Sequence, residues 1–508
     1  MRLRPAPGAV WISAALALAL GIFLFREQRI AGPVGLSGFP LDDPWIHFQF
    51  ARNLAEGHGF AYNPDVPVAG STAPLWTLLL AAAFVLFGSH PVLAKAIGIA
   101  AALATALLAR RLASTWTGFP ALGLLAGVVT ALAAPLVWGA LSGMEVALAA
   151  LLVTAALLAH TAERERLTAL LLGLAALARP ESILLVPLVW LSRPVTLRRT
   201  AVLFAVVGAL LAPAVAFNLV TSGAPWPATA SAKIEGGLVG WLSGTREPLA
   251  TLLAGRPWQF EAEWAETLWR ANVLLPLLLL PGLWILWRRL GRLALPAAGL
   301  VLQPLGMALL APYRGPAFQE GRYAAHLLPL AIAVAMMALI PLAGRPRLGR
   351  TAAVALLAAG LAALPGAALR YAWAVQNIDA MQVHLGHWAV DHTPRGARLG
   401  LNDVGAIAFV SRREVIDLMG LVTPAIIPYR RDGEAGVLRY LERSCPDYLI
   451  IFPAWFPELS AKSDRFMPIY RLRLEHNMVS GADEMVVYET AWNRWRASPR
   501  PCPEPPGG

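Results

Sequence analysis

The sequence contains few charged residues and lacks the glycine loops of nucleotide-binding proteins. Asp, Glu, Lys and Arg make up 14% of the 508 residues, whereas hydrophobic residues make up 57%. So little charge excludes a soluble enzyme with a large core. Neither a Walker-type loop nor a dinucleotide fingerprint is present. Cysteine is also scarce, with Cys445 and Cys502 only.

Long apolar runs recur from Val10 to about Leu369. Each approaches the roughly 20 residues that a helix needs to cross a hydrocarbon layer of about 30 Å. The runs predict a mainly α, polytopic membrane protein. The first run, Val10 to Phe25, follows Arg2 and Arg4 as in a signal peptide, but no small-x-small cleavage site closes it. We therefore expect a retained first helix.

The positive charge is distributed in a way that predicts the topology. The net charge is +11, but the arginines stand in short clusters between apolar runs rather than on one basic face, so nucleic-acid binding is disfavoured. The clusters are Arg2 and Arg4; Arg110 and Arg111; Arg164 and Arg166; Arg193, Arg198 and Arg199; Arg288, Arg289 and Arg292; and Arg345, Arg347 and Arg350. Loops rich in arginine stay in the cytoplasm, and about eleven helices satisfy that rule. The predicted spans are 8–25, 91–109, 119–139, 145–161, 167–178, 182–192, 200–220, 271–287, 293–311, 323–343 and 350–369. The protein is then expected in the inner membrane, with its amino terminus in the cytoplasm and its carboxyl terminus outside.

Three apolar segments are short for a span. Pro74 to Phe87 has 14 residues, and counting it as a span would place every later arginine cluster outside. We expect it to lie along or dip into the outer leaflet. The segments 167–178 and 182–192 are expected to form a tilted or broken hairpin around Arg179.

The unusual polar residues all fall on the predicted outer side, in a first loop at 26–90 and in later turns. The adjacent carboxylates Asp42 and Asp43 follow the first helix directly. Two ionised groups beside a bilayer each raise the free-energy cost of ionising the other. The pair is therefore more typical of a functional site than of a simple turn or helix cap. The short inner loops carry little besides arginine, so we expect the activity on the outer face.

Residues 371–497 have the pattern of a separate outer α/β domain, after a membrane domain at 1–370. Short strands are predicted at Arg398 to Leu401, Val415 to Leu418, Tyr448 to Phe452, Tyr470 to Leu474 and Met485 to Tyr488, with helices at Val375 to His392 and Glu434 to Arg443. Residues 498–508 are predicted to be disordered because they are rich in proline and glycine. Both cysteines fall outside, where a disulfide and a free pair are both open.

Several outer segments, in this order and on one side, resemble the GT-C superfamily of lipid-phosphate-sugar-dependent glycosyltransferases. They are Leu41 to Pro64, Gly70 to Trp76, Gly143 to Glu145, Arg179 to Glu181 and Pro227 to Lys233. Together with Asn402 to Ile407 and Asp417 to Val422, they are most similar to bacterial enzymes related to the mycobacterial terminal arabinofuranosyltransferase. The sequence departs from that group at Pro44, Ala73 and Ala228, which puts the identity of the bound sugar in doubt.

The resemblance implies a sugar donor on a polyprenyl phosphate and a glycan or lipid acceptor in the cell envelope. Attack by an acceptor hydroxyl needs a base, and either Asp42 or Asp43 can serve, with Asp42 slightly favoured. A departing phosphate needs positive charge, for which the outer-face cations Arg52, Arg179, Lys233 and Arg322 are candidates. The resemblance favours inversion at the anomeric carbon. No cofactor is implied, although a divalent cation at the acid pair is an open alternative.

Further residues are candidates for substrate binding, each with a structural alternative. They are the possible stacking rings Trp45, Tyr62 and Trp76, the turn residue His58, and the carboxylates Glu145 and Glu181. The rings could instead belong to the interfacial belt, Glu145 could cap a helix, and Glu181 could pair with Arg179. The spacing of His384, His387 and His392 indicates a solvated helix face more than a metal site.

Two other functions fit parts of the sequence. A secondary transporter would suit the helix count, but transporters place their ionisable residues near the middle of the membrane, in repeated halves. A non-catalytic envelope scaffold would also have an outer domain, but would not require the acid pair and the outer-face cations. Both stay as alternatives to the glycosyltransferase.

Overall fold

The computed structural model describes residues 7–32, 35–233, 236–242, 247–310 and 312–494. A helical region forms the first three quarters of the chain, and a five-stranded sheet with helices follows it. The helices of the first region are Pro7–Ile30, Asp43–Ala55, Pro74–Phe87, Val92–Thr117, Pro120–Leu132, Ala134–Leu141, Val146–Thr161, Glu165–Ala178, Leu185–Leu191, Leu197–Ser222, Ala228–Lys233, Gly237–Leu242, Arg256–Ala271, Leu275–Leu290, Gly299–Leu310, Leu328–Met337 and Pro346–Ile378.

The chain is a membrane protein, but the predicted number of eleven spans is not confirmed. Within the described residues, five helices are long and apolar enough to cross a bilayer, or six if a bent pair counts as one span. That pair, Pro120–Leu132 and Ala134–Leu141, bends by 53°. Pro135 explains the break, because a proline removes one helical hydrogen bond and clashes with the preceding turn. The remaining predicted spans correspond to shorter or interrupted helices, whose depth in the membrane stays a prediction.

Two of the short segments have the local structure that the sequence predicts. Pro74–Phe87 is one helix of 14 residues, ended by Gly88, whose φ of 84° suits a glycine. The helix Glu165–Ala178 stops at Arg179 because the next residue, Pro180, disfavours helical geometry before it. A 3-10 turn then leads into Leu185–Leu191, so the hairpin is broken as expected.

Close backbone contacts hold the helices of the membrane region together. The Val92–Thr117 helix packs against Pro120–Leu132 and Val146–Thr161. A Cβ atom on Gly98 of that helix would lie 2.3 Å from the carbonyl oxygen of Ala140. Glycine is therefore required at this crossing, as is common where small residues allow membrane helices to approach.

The carboxyl-terminal sheet confirms the predicted α/β domain. Its strands are β1 (Arg398–Leu401), β2 (Glu414–Asp417), β3 (Tyr448–Ile451), β4 (Phe466–Arg473) and β5 (Glu484–Thr490), in the order β2-β1-β3-β5-β4. β1 runs parallel to β2 and β3, whereas β5 is antiparallel to β3 and β4. The central β3 is buried on both faces, which explains its unbroken apolar sequence. The helices of this region are His384–His392, Ala406–Ser411, Ile427–Arg430, Gly433–Ser444, Pro457–Ser460 and Ala491–Arg494.

Strand β4 begins four residues before the predicted start at Tyr470. It is an edge strand with mostly exposed side chains, so the buried alternation that marks a strand in sequence is weak there. Pro468 lies within it, beside a register shift, which an edge strand tolerates because one side needs no hydrogen bonds.

One continuous helical segment joins the two regions. The Pro346–Ile378 helix passes through a π-helical turn, Asp379–Val383, into His384–His392. The predicted boundary at residue 370 falls inside this segment. Cys445 is disulfide-bonded. Cys502 and the predicted disordered tail 498–508 lie outside the described residues.

Gly98→Ala should destabilise the protein because its new methyl group would press on the backbone at Ala140. Overpacking of this kind typically costs about 1 to 3 kcal/mol. We expect a lower melting temperature of the detergent-purified protein. Gly21→Ala is the matched control, since nothing lies within 4 Å of a Cβ at Gly21 in the first helix. Equal melting temperatures for both variants would contradict the packing described for Gly98.

Candidate active site

Asp42 joins the loop after the first helix to the carboxyl-terminal domain. Its two carboxylate oxygens accept hydrogen bonds from the backbone N–H groups of Gly405 at 2.6 Å and Ala406 at 2.7 Å. A side chain at Gly405 would collide with Asp42, since a Cβ there would lie 2.1 Å from the Asp42 backbone oxygen. Burial, and then the nearby Asp403, raise the pKa of Asp42 well above its ordinary value, against the effect of the two N–H groups.

Asp43 is the first residue of the Asp43–Ala55 helix and pairs with a cation from a distant part of the chain. Its Oδ2 accepts a hydrogen bond from Nη2 of Arg322 at 2.6 Å. Burial alone would raise the pKa of Asp43, but Lys233 and Arg322 together hold it well below its ordinary value. Asp43 is therefore ionised at any physiological pH, and 29% of its side chain is exposed.

Arg322 is buried, at 4% exposure, and only part of its guanidinium forms hydrogen bonds with the described residues. Nη2 donates to Asp43 and to the hydroxyl of Tyr323 at 3.0 Å. Nε and Nη1 are buried and have no hydrogen-bond partner among the described residues. Buried N–H groups without a partner are costly, so this pair of donors indicates a place for an anion.

The backbone before Arg322 is strained. Gln319 and Glu320 have φ values of 48° and 58°, and Gly321 follows at 84°. Only glycine adopts this left-handed region without strain. Arg370 holds the segment by donating to both carboxylate oxygens of Glu320, at 2.6 and 2.7 Å.

Two cavities meet at Asp43. The larger, of about 530 Å³, lies between loops of the helical region and the carboxyl-terminal domain. It is lined by residues of both, including Asp42, Asp403, Arg430 and Trp455. The smaller, of about 330 Å³, lies against the membrane region. Both are lined by Asp43, Lys233, Tyr313 and Arg322. A group in either cavity could therefore reach the same carboxylate and the same two cations.

A second charged cluster lines the smaller cavity. Arg179 donates to Glu145 at 2.6 Å and to Glu181 at 3.1 Å, and its guanidinium lies over the ring of Tyr323. All three predicted residues are thus in the cavity, with Glu145 and Glu181 as partners of Arg179. One oxygen of Glu145, Oε2, has no hydrogen-bond partner among the described residues.

His47 belongs to the same cavity and was not among the predicted site residues. Its Nδ1 lies 3.1 Å from Oγ1 of Thr77 and 3.2 Å from Oγ of Ser71, and its Nε2 lies 3.9 Å from Oε2 of Glu145. Burial lowers the pKa of His47, so its ring is neutral at physiological pH. The signal in the sequence was its position four residues after Asp43, on the same helix face.

Five predicted site residues line neither cavity. Arg52 donates to the carbonyl of Phe409 at 2.7 Å and lies over that ring, so it joins the two regions instead of facing a phosphate. Trp45 packs between Phe39 and Phe409. His58 is paired with Asp65 near the surface.

The two remaining rings of that set are buried. Tyr62 donates its hydroxyl to the carbonyl of Val404, and Trp76 donates Nε1 to the carbonyl of Gly143 at 3.0 Å. Neither ring is more than 1% exposed, so neither has a face for a sugar. Their aromatic character serves packing in this structure, and neither ring lines one of the two cavities.

Asp403 is a further carboxylate of the larger cavity that the sequence did not assign. It follows β1 at the carboxyl end of a parallel strand, where the ligand sites of α/β sheets form, and that position was the available signal. Burial raises the pKa of Asp403 to about 6, although Gln382 donates a hydrogen bond to it at 2.8 Å. Among the described residues, no group of three or more His, Cys, Asp or Glu side chains could hold a metal ion.

The raised pKa of Asp403 predicts a pH dependence of stability. Between about pH 4 and pH 6 the folded protein holds a proton that the unfolded chain has released, so the free energy of unfolding should fall as the pH rises through this window. Asp403→Asn should flatten that fall, as measured by thermal unfolding in detergent. The control is Asp464→Asn, whose side chain is 77% exposed. An unchanged slope in Asp403→Asn would show that Asp403 does not hold the proton.

Known proteins resemble this chain more in fold than in sequence. A family model described as a domain of unknown function (DUF8728) matches residues 373–496. No curated protein is detectably similar in sequence. The match at 373–496 covers the carboxyl-terminal sheet.

Solved structures of similar fold cover almost the whole chain. ArnT from Cupriavidus metallidurans in the apo state matches with a TM-score of 0.53 at 13% identity, over 95% of this chain and 98% of that one. The oligosaccharyltransferase of Archaeoglobus fulgidus matches with a TM-score of 0.55 at 14% identity, over 94% of this chain and 73% of that one. A mycobacterial arabinofuranosyltransferase, AftD, reaches a TM-score of only 0.40, so the expected arabinofuranosyltransferase subgroup stays a prediction. The chain therefore has the fold of ArnT and of this oligosaccharyltransferase, and membership of the GT-C superfamily stays a prediction.

Proposed function

We propose that the protein is a membrane glycosyltransferase that moves a sugar from a polyprenyl-phosphate donor to a glycan or lipid acceptor of the cell envelope. The observation that carries the proposal is the junction of two cavities at Asp43, beside Arg322, whose Nε and Nη1 are buried without a hydrogen-bond partner among the described residues. Such a junction suits a reaction in which two substrates approach one carboxylate from different sides.

The smaller cavity is the proposed donor site. Arg322 and Lys233 offer positive charge to a phosphate, and apolar side chains such as Ile46, Met144 and Val239 line the rest. A lipid-linked donor can enter sideways, with its tail in the bilayer and its phosphate at the interface. The ArnT structure of similar fold has been solved bound to undecaprenyl phosphate, which supports this class of donor.

Direct displacement fits the proposed arrangement. The acceptor oxygen forms a bond to the anomeric carbon while the bond from that carbon to the phosphate oxygen breaks, and the phosphate leaves with the electron pair. Asp43 takes the proton of the acceptor hydroxyl, and Arg322 and Lys233 stabilise the negative charge that develops on the leaving phosphate. One displacement inverts the anomeric centre.

Asp43 suits the base better than Asp42, contrary to the slight preference from the sequence. Both oxygens of Asp42 are occupied by the N–H groups of Gly405 and Ala406. Asp43 has one oxygen paired with Arg322, lines both cavities and stays ionised. We assign Asp42 to positioning, through its hold on the carboxyl-terminal domain. The outer face of the membrane is the proposed side of the reaction, with the amino terminus in the cytoplasm.

Asp43→Asn should abolish most transfer, because the amide keeps the size of the side chain and an acceptor oxygen for Arg322 but cannot take a proton. A positioned base typically contributes about 10² to 10⁴ in rate. The assay measures transfer of label from a polyprenyl-phosphate sugar in isolated membranes. Asp464→Asn, on the exposed surface of the outer domain, is the control. A wild-type rate for Asp43→Asn would rule out the assignment.

Asp42→Asn should act differently, since its amide group would turn a donor toward the N–H of Gly405 or Ala406. We expect a lower melting temperature and faster proteolysis of the outer domain. An Asp42→Asn protein as stable as the wild type would contradict its positioning role.

Arg322→Lys should retain the positive charge but lose the two unpaired donors. Removing one donor from developing negative charge typically lowers kcat by about 10² to 10³. The readout is kcat and KM for the lipid-linked donor. Arg412→Lys is the control, because Arg412 is exposed and pairs with Glu56 away from both cavities. Equal kinetics for the two variants would exclude Arg322 from the donor site.

A further inference from the structure

The larger cavity contains more uncompensated positive charge than the proposed reaction uses. Lys233 and Arg322 face Asp43, and Arg256 pairs with Glu247 at 2.6 Å. Arg314 and Arg430 also line the cavity, and neither has a carboxylate at ion-pair distance among the described residues. Their charges are therefore available to a ligand.

The contacts of these two arginines leave most of each guanidinium free. Arg430 donates Nη1 to the carbonyl of Met419 at 2.6 Å, which fixes its position without neutralising it. Arg430 also interacts electrostatically with Asp417, which already accepts hydrogen bonds from the backbone of Met419 and Val422. Arg314 lies over the rings of Tyr313 and Phe318.

The carboxylates of the cavity do not supply the missing negative charge. Asp42 is held by backbone N–H groups, and Asp43 is paired with Arg322. Asp403 accepts a hydrogen bond from Gln382 and makes no ion pair with either arginine among the described residues. The guanidinium groups of Arg314 and Arg430 therefore have no ion-pair partner from within the cavity.

A tryptophan stands beside these charges. Trp455 is 42% exposed, and its Nε1 donates to the carbonyl of Gly481 at 3.0 Å. A Cβ at Gly481 would lie 2.5 Å from the indole ring, so glycine lets the backbone close against it. A ring fixed in this way, with an exposed part in a cavity, is suited to packing against a sugar.

We propose that the larger cavity binds its acceptor through an anionic sugar, with Arg314 and Arg430 contacting a carboxylate or phosphate and Trp455 packing on the ring. The proposal rests on the proposed function and names the class of acceptor. Guanidinium groups form paired hydrogen bonds with carboxylate and phosphate oxygens, and two of them give preference for a charged over a neutral glycan.

The test measures binding, so that it does not depend on turnover. The full-length Asp43→Asn protein, purified in detergent, is titrated by calorimetry with three probes: a galacturonate oligosaccharide, a galactose oligosaccharide of the same length, and the same galactose oligosaccharide carrying one phosphate. At least one charged probe should bind about tenfold or more tighter than the neutral one, as hydrogen bonds to charged groups require. Which charged probe binds tighter distinguishes a carboxylate from a phosphate acceptor.

Arg430→Gln and Arg314→Gln should each weaken the charged probe about tenfold and leave the neutral one unchanged. Arg431→Gln is the matched control, since the neighbouring Arg431 is exposed and is not among the residues that line the cavity. Equal binding of charged and neutral probes, or an equal loss in the Arg431 variant, would overturn the proposal. Failure of the proposed function is a separate result: no transfer from any polyprenyl-phosphate sugar by the protein with Asp43 intact.

Discussion

The ion pair between Asp43 and Arg322 is the interaction on which the site depends. The two residues are 279 positions apart in the chain and meet where the two cavities join. A mostly buried ion pair adds little to the stability of the folded protein. Removing one partner, however, leaves an uncompensated charge in the protein interior, which solvates it poorly. The pair therefore has to form when the helices assemble. It leaves the other carboxylate oxygen of Asp43 outside the pair, and two buried guanidinium nitrogens of Arg322 without a hydrogen-bond partner among the described residues.

The carboxyl-terminal domain completes the site instead of only covering it. Asp42 accepts two of its backbone N–H groups, and Asn63 exchanges two hydrogen bonds with the backbone of Val415 in β2. Thr229, beside Lys233 in sequence, donates to the carbonyls of Gly70 and Leu421. The loop that carries the acids, the helix that carries Lys233 and the sheet are thus fixed to one another by backbone contacts. Backbone partners leave the charged side chains free for chemistry.

The two cavities differ in charge, and this difference separates the roles we propose for them. In the smaller cavity, Arg179 is paired with Glu145 and Glu181, and much of the wall is apolar. This composition suits the proposed lipid-linked phosphate, held by Arg322. The larger cavity has two arginines, Arg314 and Arg430, without carboxylate partners among the described residues. A negative acceptor would balance that charge without drawing Asp43 away from Arg322. The strained backbone at Gln319 and Glu320 places Arg322 between the two sites.

Local features could be predicted from the sequence because they depend on residues that are close together in the chain. Apolar runs predicted the helical membrane class, short alternating runs predicted the α/β domain, and the ordered polar segments predicted a fold that two solved structures share. Proximity was not readable. Arg52, Tyr62 and Trp76 have the residue types of a sugar site but are buried in packing, while His47 and Asp403 enter the cavities without a strong motif. The choice between Asp42 and Asp43 likewise depends on Gly405 and Arg322, which lie hundreds of residues away. Periodicity and composition report the local environment of a segment, whereas burial, hydrogen-bond partners and the electrostatic field of a cavity arise only when distant segments pack together.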